Sequence, residues 1–544
     1  MPGAFVPPFA SVASRIRLGV GHRGWVIAAG VVATLAVLAV RLAFARRVEF
    51  CGGADSCFYI TLARQIAAGH DLLVDFVWNY QVPHVTLPSP ALEYWRPGTS
   101  LLLDIAAPFG DITLHSIAAI SAVFTIIAAL AAADIAWTMT GDRWVTLGGY
   151  VIALCLPTFW TLALAADSAP FYGAAVAWFL ALFTVRFRSR WRDLLALLCL
   201  AAAYLIRNDA LLLGVPFAAV LAKRVSGQLA SNTVRQELPY TIGLAGGFLL
   251  ALLPAHLLTY LLTGQPANSS IGAVLFLNDL IDFSRYGDNL DFATWMGQGF
   301  RRFVLLRVSV FMQILHHLLT LFGEPATMMA LIAALFGVLS NRRAAFISSL
   351  IGPLAFLVAI VLAYSIALPA IGDHAAMRSF TGLLPVLAAL AAVGSAEIAA
   401  TRRGFTALAA GVAAFSAIAG VDRARVQLDN GRKALAEYRT EARIIDQASR
   451  SAGPALAMVR NPAVFTTTTG IRSVSLPTNG SLAVQAAAKK FGATAIVTDQ
   501  WSEAAGLADD LHAAIQHIPD SVQIVLLLPT PLDDKKLLGD RVGH

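Results

Sequence analysis

Between Trp25 and Val421 the chain runs again and again through stretches of roughly 20 apolar residues, the length an α-helix needs to cross the hydrocarbon core of a bilayer. No water reaches that core to satisfy backbone N–H and C=O groups, so runs of this kind are restricted to helices. With 57% hydrophobic and 13% charged residues, too little polar surface remains to cover a water-soluble globule. Spans are expected at 25–44, 113–138, 144–163, 170–186, 193–207, 209–222, 239–262, 326–340, 344–369, 379–401 and 404–421, which makes about eleven crossings. The first exceeds a signal-peptide core and no small-residue cleavage site follows it, so it is read as a retained anchor.

The net charge of +7 does not point to nucleic acid, because the basic residues sit in short loops and form no stripe interleaved with stacking aromatics. Arg15, Arg17 and Arg23, then Arg186, Arg188, Arg190 and Arg192, then Lys223 with Arg224, Arg342 with Arg343, and Arg402 with Arg403 are all expected on the cytoplasmic side. That leaves the long first loop, 45–112, facing outward together with short loops around Asp167, around Arg207 and Asp209, and around Asp373, His374 and Arg378. Arg46 and Arg47 run against this orientation, but long loops obey the charge rule less strictly than short ones. The segment Arg301–Leu321 carries Arg307, Gln313, His316 and His317, and counting it as a span would invert the later loops. It is read as an amphipathic helix in the outer interface.

Charges return after residue 421. The expected organisation is a membrane domain over 1–421 that includes the first outward loop, and a soluble α/β domain over 422–544 on the outer side. In that tail a polar helical stretch, Arg432–Arg450, precedes strands such as Ala495–Val497 and Val522–Leu528 and helical stretches at Leu482–Phe491 and Glu503–His517.

Asp55 stands in GGADSCFYITLARQIAAGHD, directly after the first span. A carboxylate on a short amphipathic helix at the membrane surface fits general-base chemistry on a hydroxyl, which is a poor nucleophile near neutral pH. It also fits a plain N-cap of a helix Ser56–Ala68, and the two roles are compatible. Cys51 and Cys57 flank it, either as a disulfide or as two free thiols, whereas Cys155 and Cys199 lie in spans. Arg207 and Asp209 suit an interfacial ion pair as well as a substrate contact, Arg378 suits lipid headgroups as well as a bound phosphate, and Asp167 suits a turn. Trp78, Tyr80, Tyr94 and Trp95 read as interfacial anchors. No paired CxxC or HExxH pattern marks a metal site; a divalent cation is not indicated by the sequence, and the cofactor is left open.

Taken in order, an outward loop carrying Asp55 and Tyr59 on a helix ending in Ala68-Gly69, then LPSPALEYWRPGTSLLL, Asp167-Ser168, Arg207-Asn208-Asp209 and Arg378 before Pro385, resembles the GT-C superfamily of integral-membrane glycosyltransferases. The branch it is most similar to is that of protein O-mannosyltransferases and the lipid A aminoarabinose transferase. The resemblance covers residues 25–421 and implies transfer of a sugar from a polyprenyl-phosphate donor to a glycan, lipid or protein acceptor outside the membrane, usually with inversion. By the family pattern Asp55 is the general base. Tyr59, Glu93, Arg96, Asp167, Arg207, Asp209, His374 and Arg378 are then expected at the substrates, with Arg96 and Arg378 as the cations for the phosphate. The chain departs from the pattern at Trp95-Arg96-Pro97-Gly98, where that transferase has a Lys-Pro-Pro run, and at Asp55-Ser56, where protein mannosyltransferases carry paired acids. Rival readings are a transporter or flippase of lipid-linked sugars, for which Asp134 and His256 form no relay, and an oligosaccharide polymerase or ligase.

Overall fold

The computed structural model describes residues 23–528 apart from 82–84, 93–94, 106, 110–111, 166, 185–188, 232, 265–276, 278, 289, 291, 298, 323–324, 340–342, 400, 450–454, 500, 512 and 519–522. The chain divides into two compact units: Met1–Val48, Trp95–Ala267 and Arg301–Gln427 form the first, and Glu49–Tyr94, Asn268–Phe300 and Leu428–His544 the second.

The first unit is a bundle of apolar helices. Among the described residues each of the eleven expected spans falls mainly on helix, and seven helices are long and apolar enough to cross a membrane. Arg143–Cys155, Ala169–Phe183 and Pro325–Leu339 are shorter apolar helices, and Phe300–Phe322 is not among the seven. Leu384–Ile398 (LPVLAALAAVGSAEI) lies at the centre of this unit and is buried on all sides. Its small residues explain that position, since alanine and glycine let helix backbones approach closely where lipid offers no hydrophobic drive. A Cβ on Gly149 would meet Ala136 Cβ at 3.1 Å and Ala389 Cα at 3.4 Å, and Gly394 is closed in by the Met329 carbonyl. At the periphery, Val234–Thr263 exposes Leu249, Leu250 and Leu261, as a lipid-facing helix would.

Several expected spans are broken rather than straight, and each break has a local cause. The stretch 144–163 divides into Arg143–Cys155 and Pro157–Leu162, with Leu156 at ψ 130° because a following proline crowds the helical region. Arg207 ends Arg190–Ile206 in an extended conformation (φ −146°, ψ 141°), and a 3₁₀ turn, Asn208–Leu213, intervenes before Gly214–Ala230. The stretch 344–369 runs as Arg343–Leu362, widens to a π turn over Ala363–Ala367 and closes in a 3₁₀ turn at Pro369–Ile371. Arg378 stands on a separate helix, Gly372–Phe380. Arg207, Asp209 and Tyr364 stand at these interruptions, consistent with the rule that irregular backbone at membrane depth needs protein partners.

Inside the bundle the first helix, Arg23–Ala45, carries a buried arginine. Arg41 donates to Leu154 O at 2.7 Å and to Thr125 Oγ1, and its guanidinium lies 5.1 Å from the Trp160 ring centroid. It thus caps the C-terminal carbonyls of Arg143–Cys155, where a cation is favoured.

The second unit is built on a six-stranded sheet in the order β2-β5-β4-β6-β8-β7. β4 (Leu456–Val459), β5 (Arg472–Ser475) and β6 (Ala495–Thr498) run parallel, while β8 (Ile524–Leu527) and β7 (Ala514–His517) complete one edge antiparallel. The other edge comes from the first loop: β2 (Phe76–Val77) pairs parallel with β5, Phe76 opposite Ser473 and Val77 opposite Val474. A separate short pair, β1 (Leu73–Val74) with β3 (Ser89–Pro90), closes the same loop. Alternation along the strands sends Met458, Val474, Ile496 and Leu526 to one core with Val484 and Leu507, and Ala457, Val497 and Val525 to another with Ile445 and Phe465. The helix expected over Glu503–His517 is corrected here: helix ends at Leu511 and Ala514–His517 is a strand, because pairing with β8 overrides the local helical pattern. The change of composition at residue 421 falls within one continuous helix, Arg402–Ser449.

A tight backbone contact fixes how Gly98–Asp104 meets the end of Arg190–Ile206, since a Cβ on Gly98 would lie 2.5 Å from the Leu205 carbonyl oxygen. Gly98→Ala is expected to destabilise the protein by about 1–3 kcal/mol. A lowered Tm in detergent checks this, and an unchanged Tm contradicts the packing.

Candidate functional site

Asp55 belongs to the second unit, on the helix Ala54–Ala67. That helix starts two residues earlier than expected, with Gly53 as its N-cap and no side-chain cap bond. Asp55 is therefore not the N-cap that the alternative reading made it: the carboxylate stands inside the first turn, partly exposed, where the positive end of the helix dipole favours an anion. Cys51 and Cys57 are joined in a disulfide on either side of it, which closes the chain around the helix start. Tyr59, one turn on, is buried with its ring 5.7 Å from that of Phe58. Glu93 lies outside the described residues, as does the side chain of His374.

The first unit gathers four of the expected residues at its helix breaks. Arg378 Nε donates to Asp167 Oδ2 at 3.0 Å. The other Asp167 oxygen accepts from the Ala169 amide at 2.9 Å and the Ser168 hydroxyl at 3.2 Å, so the carboxylate also starts the helix Ala169–Thr184. Arg207 reaches the same place by donating to Ser168 Oγ at 3.1 Å, while its Nε holds both oxygens of Asp209 at 2.9 and 3.1 Å. Asp209 is completed by two hydroxyls, Tyr364 at 3.0 Å and Ser379. Burial alone would raise the Asp167 carboxyl, but the Arg378 and Arg207 guanidiniums, with the Ala169 and Ser168 bonds, outweigh it and hold it below the usual carboxylate range. Arg378 keeps 29% of its side chain exposed against 12% for Arg207, so Arg378 is the cation of the pair that solvent or a ligand reaches more easily.

Arg96 forms a second centre in the same unit. Its Nε donates to Asn208 Oδ1 at 2.5 Å, its terminal nitrogens to Tyr204 OH at 2.8 Å and Thr259 Oγ1 at 3.5 Å, and its guanidinium lies 4.6 Å from the Tyr204 ring centroid. Tyr204 in turn meets His256 Nε2 at 3.0 Å. Among the described residues every hydrogen-bond partner of Arg96 is neutral, although the side chain is only 3% exposed. A buried guanidinium without a carboxylate is costly, so this centre is chemically suited to an anion. The extended break at Arg207 lets three consecutive residues serve two centres: Arg207 and Asp209 belong to the Asp167 cluster and Asn208 to Arg96.

Sequence reasoning did not select Tyr364, Ser379, Tyr204 or Thr259. Their signal was a lone hydroxyl within an apolar span, which must find a partner away from lipid. Asp134, considered for a transport relay, is instead paired with Arg192 at 2.6 Å. Among the described residues no cluster of three or more metal-ligating side chains occurs.

No protein-family model matches the chain, and no curated protein sequence does. Solved structures do. The apo crystal structure of ArnT from Cupriavidus metallidurans matches with a TM-score of 0.55 at 14% identity, over 94% of this chain and 98% of that one. The same protein bound to undecaprenyl phosphate matches with a TM-score of 0.52, also at 14% identity, over 94% and 99%. The chain shares the fold of ArnT. At this identity the likeness is one of fold, and it extends over nearly the whole of both chains. Together with its apolar helices, it makes the chain an integral, multi-pass membrane protein.

A carboxylate with a depressed pKa adds stability that is fully present above its unfolded value, about 3.9 for aspartate, and is lost as pH falls through the lower folded value. The Tm difference between wild type and Asp167→Asn is therefore expected to persist from neutral pH to about pH 4 and to close only in stronger acid. A difference already closed at about pH 5 contradicts an ionised Asp167 held by Arg378.

Proposed function

We propose that the protein is a glycosyltransferase that moves a sugar from a polyprenyl-phosphate donor to an acceptor on the extracytoplasmic side of the membrane, with inversion at the anomeric carbon. The observation that carries this reading is the match, over nearly the full length of both chains, to a fold crystallised with undecaprenyl phosphate. The reading is supported within this chain by buried and half-buried arginines at the helix breaks of the membrane unit, because a phosphate leaving group needs cationic contacts more than acid assistance.

Asp55 is the proposed general base, taking the acceptor hydroxyl proton as the oxygen attacks the anomeric carbon and the lipid phosphate departs. Arg378 and Arg96 are the proposed phosphate contacts, guanidinium being suited to a bidentate grip on phosphate oxygens. Asp167 and Asp209 orient Arg378 and Arg207 through the bonds described above, and Tyr59, Glu93 and His374 remain proposed substrate contacts.

Asp55→Asn is expected to fold and to bind donor, since the amide leaves the shape of the side chain unchanged, while turnover falls on the order of 10²–10⁴-fold. Arg378→Ala should raise the donor KM as well as lower kcat, because a phosphate contact acts before and during bond cleavage. Purified protein and a labelled lipid-linked sugar are the assay. Retention of more than about a tenth of the wild-type rate by Asp55→Asn rules out the base assignment.

The proposed orientation has the N-terminus cytoplasmic and the α/β unit outside, supported by the placement of the basic loops. Single cysteines introduced at Ser231 and Leu482 test it, both being exposed positions. In intact cells an impermeant maleimide should label Leu482→Cys and spare Ser231→Cys, and the reverse pattern overturns the orientation.

A further inference from the structure

The run Thr466-Thr467-Thr468-Thr469 is out of place in a helix, because β-branched residues lose side-chain freedom against the preceding turn. Yet Pro462–Thr469 is helical, ended by Gly470 at φ +76°. Its hydroxyls account for this. Thr466 meets Ser473 Oγ at 2.6 Å and donates to the Asp75 carbonyl at 3.4 Å; Thr469 donates to Phe465 O at 2.7 Å and accepts from the Ile471 amide at 3.1 Å. Thr467 faces another element. Its Oγ1 lies 2.8 Å from Thr61 Oγ1 and donates to the Cys57 carbonyl at 3.4 Å. Both partners are on the helix Ala54–Ala67, two and six residues beyond Asp55.

The rest of the first loop is fastened to the same sheet. The Ser473 amide donates to Asp75 O at 3.2 Å beside the β2–β5 pairing, and Tyr80 OH donates to Ser475 O. Phe58 packs edge-on against Phe76, with ring centroids 6.5 Å apart. The chain is thus held after the Asp55 helix by a strand and along that helix by the threonine helix.

From this we infer that the α/β fold of the second unit is the positioning device for Asp55, and that Thr467 is the residue through which it fixes the rotation of the Asp55 helix. The inference rests on the reading of Asp55 as general base. Thr467 is a positioning residue: a hydroxyl pair between two helices sets their register, and small misplacement of a base lowers the rate of the chemical step without altering donor binding.

Thr467→Val keeps the shape and removes the hydroxyl; Thr467→Ser restores it, and Thr61→Val removes the same bond from the other side. In the full-length protein, Thr467→Val, which removes the bonds to Thr61 and to the Cys57 carbonyl, and Thr61→Val, which removes the first of them, are expected to lower kcat about three- to tenfold with an unchanged donor KM, the size expected for lost hydrogen bonding that acts on alignment. Thr467→Ser should return kcat to the wild-type level. Hydrogen–deuterium exchange should quicken in peptides covering residues 51–63 in both valine variants and not in the serine variant. If exchange and kcat in both valine variants match wild type, the inference is wrong; it is equally wrong if only one of the two readouts moves. Should one valine variant fail to fold, the other reports on the same bond. Asp55→Asn is measured beside them. A fully active Asp55→Asn removes the base reading, and the exchange data then decide by themselves whether Thr467 fixes the helix.

Discussion

A charge carried into a bundle of apolar helices has to meet its opposite or a full set of hydrogen bonds, and the first unit is arranged around that requirement. Arg207 with Asp209 and Arg378 with Asp167 stand where helices stop: at the extended residue after Arg190–Ile206, at the start of Ala169–Thr184 and on the short helix before Leu384–Ile398. The breaks and the ion pairs depend on each other. An interrupted helix leaves backbone groups unsatisfied, and polar side chains brought there by the interruption find partners that an unbroken apolar helix does not offer. Tyr364, placed by a π turn, shows the same logic by turning its hydroxyl to Asp209.

Arg96 differs in a way that bears on ligand chemistry. Arg207 and Arg378 each hold a carboxylate, whereas the partners of Arg96 are an amide, a phenol and a threonine hydroxyl. Among the described residues, Arg96 is thus, like Arg41, a buried guanidinium solvated by dipoles and not held by an anion. A group of that kind attracts phosphate more strongly than a paired one, because no existing ion pair has to be broken first.

The membrane part of the fold was legible because its code is local: a run of roughly 20 apolar residues reports on itself, whatever it packs against. Pro157 marked its break only after the fact, since proline is tolerated in some membrane helices, whereas the charged triplet at Arg207 was legible as the boundary between the spans 193–207 and 209–222. The second unit was less legible for the opposite reason. Val77 next to Val474 and Thr61 next to Thr467 are separated by about 400 residues of chain, and no periodicity within either segment announces the partner. Ala514–His517 was misread as helix because strand pairing with β8 outweighs the propensities of Ala-Ile-Gln-His. Of the candidate residues, the acids and arginines were legible by charge alone in an apolar context, and the hydroxyls that complete their shells were not.

Transfer differs from transport in whether the bond between sugar and phosphate is broken. The most direct measurement uses purified protein in liposomes with a polyprenyl-phosphate donor labelled in its sugar, following release of the lipid phosphate and the fate of the label when acceptor is added. The account predicts lipid phosphate formed in step with label leaving the lipid, and neither in Asp55→Asn. Label that crosses the bilayer still attached to its lipid, with no phosphate released, contradicts it.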